Sequence, residues 1–166
     1  MTTPAAAPGP VTAAEVHARL AELGATVALA ESLTGGLLCA ALTDPPGAST
    51  TVRGGLVVYA TDLKASLAGV SESLLAERGA VDPDVALALA RGARARLGAS
   101  FGVGVTGVAG PDPQDGKAVG TVFAAVAGPH RDTVREYRLA GDRREIRAAA
   151  VQACLDLLAS EYRRHG

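Results

Sequence analysis

The sequence predicts a single-domain α/β fold: a three-layer α/β/α sandwich around a mixed, mostly parallel sheet. Three observations carry that expectation. Short apolar runs of the kind that form buried strands alternate with longer helical patterns. The helices are punctuated by N-cap residues before them and glycines after them. The last two strand-like runs stand in tandem around Gly128-Pro129, a hairpin rather than a crossover.

Taken in order, residues 1–10 (MTTPAAAPGP) are rich in Pro, Ala and Gly and are expected to be a disordered tail, with one domain over 11–166. Thr12 can cap a helix to about Leu23, after which Gly24 suits the left-handed position. TVALAE (26–31) reads as a buried strand ending at Ser32, and LLCAAL after two glycines as a helix stopped by Asp44-Pro45-Pro46-Gly47. A second strand is expected over Gly55 to Ala60. Thr61 is expected to cap a short helix holding Lys64, and Ser71 another ending near Gly79. Asp82-Pro83 starts a helix to about Leu97 that Gly98 ends. SFGVGVT is a third strand and 107–118 a turn-rich loop. VGTVFAAVAG and TVREYRLA form the hairpin, the latter as an edge or half-exposed strand. Asp142 with Glu145 is a capping-box pair opening a last helix to about Arg164.

Composition narrows the function classes. The 166 residues carry a net charge of −1, with 48% hydrophobic and 20% charged residues, and the mean hydropathy is +0.22. A near-neutral chain is a poor match for phosphate-driven nucleic-acid binding. No apolar run reaches the roughly 20 residues of a membrane span, and the N-terminal stretch lacks the basic and apolar parts of a secretory signal. With 35 Ala and no Trp, the core must be built from small aliphatic side chains. Cys39 and Cys154 lie in apolar helical patterns without a CxxC partner and read as core residues; a cytoplasmic location is expected. His17, His130 and His165 form no ligand pattern, so no metal and no cofactor are expected.

Four segments could carry chemistry. In AESLTGG a strand runs into Ser32, and Gly35 and Gly36 open the next helix. A hydroxyl beside free helix N–H groups can act as a nucleophile facing an oxyanion hole; a simple N-cap at Ser32 or Thr34 fits the same pattern. In GGLVVYATDLK, Tyr59 stands near a strand end and Lys64 a helical turn on. The chain has 14 Arg and only 2 Lys, so a lysine here draws notice, because an amine can lose its proton on burial and a guanidinium cannot. Lys64 could activate Ser32, or be an ordinary solvated residue. Thr106-Gly107 ends a strand and opens a Gly/Pro-rich loop of the kind that lines pockets. In GDRREIR, Arg143 and Arg147 sit against the helix dipole, which suits an anion site or a surface ion pair with Asp142 or Glu145. Two apparent nucleotide fingerprints fail. Gly102, Gly104 and Gly107 satisfy GxGxxG but lie inside a strand, and GPDPQDGKA has the wrong Walker spacing and Ala118 in place of a magnesium-binding hydroxyl.

AESLTGG, DPPGAST, GGLVVYATDLK, GAV, VTGVAGPD, VGTV and GDRREIR, in that order and spacing, resemble the CinA C-terminal domain family over about residues 11–164. Members of that family can stand alone as nicotinamide-nucleotide amidohydrolases, and many carry the unit behind a larger molybdopterin-binding-like domain. The resemblance implies a three-layer α/β/α sandwich and hydrolysis of the carboxamide of nicotinamide mononucleotide to nicotinate mononucleotide and ammonia, by a Ser–Lys mechanism needing no metal. By position, it makes Ser32 the nucleophile, Lys64 the base and Tyr59 an assisting residue. Thr106 becomes a pocket residue and Arg143 a phosphate ligand. Ser49, in the family's small-residue turn, is a second candidate nucleophile. Departures are YATDLK for the commoner YSNEAK, Ala118 for Pro, and a 112–118 loop without the usual glycine pair.

The expected activity is thus amide hydrolysis of a nucleotide, with Ser32, Lys64 and Tyr59 catalytic. Thr34, Gly35, Gly36, Ser49, Thr106, Gly107 and Arg143 are expected to bind substrate, with backbone N–H groups around Thr34 to Gly36 holding the oxyanion. Two other readings fit the same residues: a catalytically silent nucleotide-binding or interaction domain, and an amidase for a related pyridine carboxamide. The expected partner is a small-molecule nucleotide, with no nucleic acid and no membrane, and a half-exposed edge strand suggests a homodimer.

Overall fold

The computed structural model describes residues 9–164, so most of the expected tail, and the last two residues of the chain, lie outside the described residues. Helix α1 (Ala13–Glu22) opens on a capping box in which Thr12 and Glu15 satisfy each other's backbone N–H. It is followed by β1 (Val27–Glu31), α2 (Leu37–Thr43), a single 3₁₀ turn at Ala48–Thr50, and β2 (Val52–Val57). Three helices come next, α3 (Thr61–Ser66), α4 (Glu72–Arg78) and α5 (Pro83–Leu97). The chain then forms β3 (Phe101–Gly107), β4 (Thr121–Ala127), β5 (Asp132–Arg138) and α6 (Arg143–Arg163). Asp82, with Pro83 behind it, caps α5, and Asp142 with Glu145 forms the second capping box.

The five strands form one mixed sheet in the order β2-β1-β3-β4-β5. β1 pairs parallel with β2 and β3, whereas β3–β4 and β4–β5 are antiparallel, so every strand but β4 runs the same way. β1 is central and buried along its whole length; β5 is an edge with half its residues exposed. Alternation sends Val27 and Leu29 to one face, where α1, α2 and α6 cover them. Ala28 and Ala30 go to the other, under α5. Helix α5 turns Val85, Ala86, Leu89, Ala90 and Ala93 inward, a helical stripe of small and medium side chains. It needs small partners: a Cβ on Gly102 or Gly104 of β3 would run into the carbonyls of Ala90 and Ala86. Two glycines of the failed nucleotide fingerprint, Gly102 and Gly104, therefore serve helix packing.

Two elements, β2 and α3, differ from expectation at their boundaries. β2 begins at Val52 instead of Gly55, through a register shift against Val27–Ala28, and it ends at Val57. Val58 still donates to the Glu31 carbonyl (2.9 Å), but the carbonyls of Val58 and Tyr59 turn aside to Lys64. Thr61 does not cap α3; the N-cap is Ala60, without a side-chain bond. The first crossover, β1–α2–β2, passes on one face of the sheet and the second, β2 to β3, on the other. The C-terminal end of β1 is thus the switch point where α/β sheets open a crevice.

Candidate active site

That crevice is occupied at its floor by the pair singled out in the sequence. Ser32 follows β1 directly and is 8% exposed; Lys64, on α3, is 1% exposed. The Nζ of Lys64 donates to the Ser32 Oγ at 2.9 Å, to the Val58 carbonyl at 2.8 Å and to the Tyr59 carbonyl at 3.1 Å. An ammonium has three N–H donors, and all three are matched. A neutral amine keeps two, enough for the carbonyls, and leaves its lone pair for the hydroxyl. Burial lowers the Lys64 pKa to about 8, with Asp115 opposing the shift.

A polar-lined cleft, open to solvent on one side, lies above them. Thr106, Gly107 and Arg143 line it, together with Ala80, Val81 and Gln114. The Thr106 hydroxyl donates to the Ala80 carbonyl at 2.7 Å, which leaves its oxygen as an acceptor. Arg143, at the first position of α6, forms no ion pair with Asp142 or Glu145 among the described residues. Its guanidinium donates to the Gly110 carbonyl (2.6 Å) and the Tyr59 hydroxyl (3.1 Å). Tyr59, 59% exposed as a residue, therefore meets Lys64 through its backbone carbonyl, while its hydroxyl stands at the rim with Arg143.

Four expected binding residues are placed elsewhere. Ser49 lies just before β2, at the opposite end of the parallel strands from Ser32, and lines a separate hollow with Cys39 and Arg53. Six strand residues span about 20 Å, so it cannot reach Lys64. Thr34, Gly35 and Gly36 lie behind the cleft. The N-cap of α2 is Gly36 in a left-handed conformation, not Ser32 or Thr34. The open sides of Gly35 and Gly36 face Arg147 and Val57, neither of which lines the cleft. Four of the donors there are also spent. The Gly35 N–H donates to the Ser32 carbonyl (3.0 Å) and the Leu37 N–H to the Thr34 carbonyl (3.0 Å). Those of Leu38 and Cys39 bind the Glu31 carboxylate at 2.9 and 3.0 Å.

Two residues shape the Ser32 turn in ways sequence reasoning missed. Glu31, fully buried, holds the start of α2 from below. Arg147 donates to the carbonyls of Leu33 (2.9 Å) and Thr34 (3.3 Å) from α6. The signal for Arg147 was its position one turn after Arg143; nothing local marked Glu31 as more than a strand end.

The sequence pattern of the CinA C-terminal domain matches residues 11–162. The chain belongs to the CinA C-terminal domain family. A CinA-like protein of Frankia casuarinae is 55% identical over 139 residues, covering 84% of this chain and 32% of that protein. A CinA-like protein of Geobacter sulfurreducens is 49% identical over 138 residues, 82% of this chain and 33% of its own length. The chain thus spans about a third of these curated CinA relatives. The competence/damage inducible protein CihA of Agrobacterium tumefaciens superposes with a TM-score of 0.84 at 38% identity, covering 92% of this chain and 96% of that one. A CinA superfamily protein of Escherichia coli gives 0.85 at 29% identity, with 89% of both chains covered. The five-stranded sandwich is the CinA superfamily fold. No helix among the described residues of this CinA domain is long and apolar enough to cross a membrane.

Proposed function

We propose that this CinA domain is an amidohydrolase that converts nicotinamide mononucleotide to nicotinate mononucleotide and ammonia through a Ser32–Lys64 pair. One observation carries the reading: a lysine buried at the floor of an open cleft, its acidity raised by burial, bonded to a serine hydroxyl. Neutral Lys64 takes the Ser32 proton, and Oγ attacks the carboxamide carbon. The N–H of Leu33, next to the nucleophile on the cleft wall, meets the oxyanion, replacing the donors expected at Thr34 to Gly36. The tetrahedral intermediate collapses with cleavage of the C–N bond, and the Lys64 ammonium gives its proton to the departing ammonia. Water, deprotonated by Lys64, then cleaves the Ser32 ester and releases the carboxylate.

Arg143 has N–H groups beyond those given to Gly110 and Tyr59, and it binds the substrate phosphate at the rim. Thr106 accepts a hydrogen bond from the substrate. The enzyme is read as a cytoplasmic homodimer, for which sedimentation gives the mass. A panel of nicotinamide mononucleotide, its riboside, free nicotinamide and pyrazinamide, scored for ammonia, tests the function. Fastest release from the mononucleotide supports it. Tight binding of the mononucleotide by calorimetry with no ammonia from any compound overturns it in favour of a binding domain.

A further inference from the structure

The loop between β3 and β4 is built tightly at its tip. Gln114 and Lys117 exchange both backbone hydrogen bonds, at 3.1 and 2.8 Å, across Asp115 and Gly116. Asp115 has φ 51° and Gly116 φ 71°, the paired left-handed residues of a type I′ turn, for which Asp-Gly is a preferred sequence. The turn aims the Asp115 carboxylate back at the protein, where Oδ2 accepts the Ala80 N–H at 3.0 Å. A Cβ on Gly79 would stand 3.0 Å from that carboxylate, so the glycine there permits the approach. Ala80 in turn receives the Thr106 hydroxyl on its carbonyl. One chain of contacts therefore links the loop, the Gly79–Val81 turn and the end of β3, and Gln114, Ala80, Val81 and Thr106 all line the cleft.

We infer that Asp115 is a positioning residue: it fastens the 110–118 loop to the Gly79–Val81 turn, setting one wall of the cleft, and keeps a negative charge beside the Ser32–Lys64 pair. The inference rests on the reading of that cleft as the active site. The titratable or polar groups lining the cleft with Lys64 are Asp112 from the loop, Arg143 from α6, Tyr59 before α3 and Ser32 after β1, while the Asp115 carboxylate sits on the N–H of Ala80, itself a lining residue. Asp62 lies on its own helix. Glu31 belongs to the opposite face of the sheet, with α2. The Asp115 charge favours the ammonium form of Lys64.

With only two lysines in the chain, ¹³C-lysine labelling follows the titration of Lys64 without any substrate, assigned with a Lys117→Arg variant. Asp115→Asn keeps the turn and an acceptor oxygen but drops the charge. Its Lys64 midpoint should move downward, with hydrogen-exchange protection of the Ala80 amide kept. Asp115→Gly keeps the turn geometry and drops the carboxylate. It should move the midpoint downward, lose protection at Ala80 and raise KM several-fold more than it lowers kcat. An Asp115→Asn midpoint equal to wild type, or an Asp115→Gly chain with Ala80 still protected, overturns the inference. Midpoint and exchange are read without turnover, so failure of the amidohydrolase reading would leave them standing as a separate result.

Discussion

The Nζ of Lys64 lies 2.9 Å from the Oγ of Ser32, although the two residues are 32 positions apart and belong to different layers of the sandwich. The Val58 and Tyr59 carbonyls hold the amine from the other side. β2 ends early because those carbonyls leave the sheet for the lysine. The boundary of a strand and the chemistry of the site are one feature.

Activity should rise with pH through the Lys64 midpoint near 8, because the base is the unprotonated amine. Ammonia release measured from pH 6.5 to 9.5 should give a single ascending limb. Lys64→Arg should lack activity at every pH, since a guanidinium stays protonated.

Folding stability should carry the same signature. Lys64 loses its proton near pH 8 in the folded chain and near 10.5 in the unfolded one. Between those values the unfolded state binds more protons, so stability rises with pH, by up to about 3 kcal/mol. Burial raises the pKa of Cys154, Tyr137 and Tyr162, which pulls the opposite way. Urea titrations of wild type and Lys64→Met cancel those contributions. The wild-type advantage should be flat below pH 7 and grow above pH 8.

The Thr12 cap, the Asp142–Glu145 capping box, the Asp82-Pro83 start and the closing hairpin were legible because each is local, decided by residues within a few positions. The Ser32–Lys64 pairing was not local. Lysine scarcity pointed to Lys64 and the strand-to-helix turn to Ser32, and family resemblance joined the two. Ser49 shows the converse: a turn of small residues reads alike at either end of a strand, and only the parallel register puts it at the wrong end. Glu31, Arg147 and Asp115 act through backbone groups distant in sequence, and a carboxylate or guanidinium bound to backbone leaves no pattern in side-chain spacing.

Arg147 should act on rate more than on binding. Arg147→Lys leaves one donor group for the two carbonyls that frame the Ser32 turn. Loosened placement of a nucleophile costs about ten- to a hundredfold. Steady-state kinetics should show kcat lowered by that order with KM nearly unchanged. A rise in KM alone would put Arg147 in substrate binding.

Gly104→Ala should destabilise the fold without touching the cleft, because its methyl would meet the Ala86 carbonyl and the Ala90 N–H group of α5. Overpacking of this kind costs about 1–3 kcal/mol or more. Chemical denaturation should show the loss, while Lys64 in the folded fraction titrates as in wild type.

The most direct measurement is to quench turnover of nicotinamide mononucleotide with acid and map the adduct by peptide mass spectrometry. The account predicts a nicotinate mononucleotide ester on Ser32, absent from Lys64→Met. An adduct on another residue, or full-rate ammonia release by Lys64→Met, would contradict it.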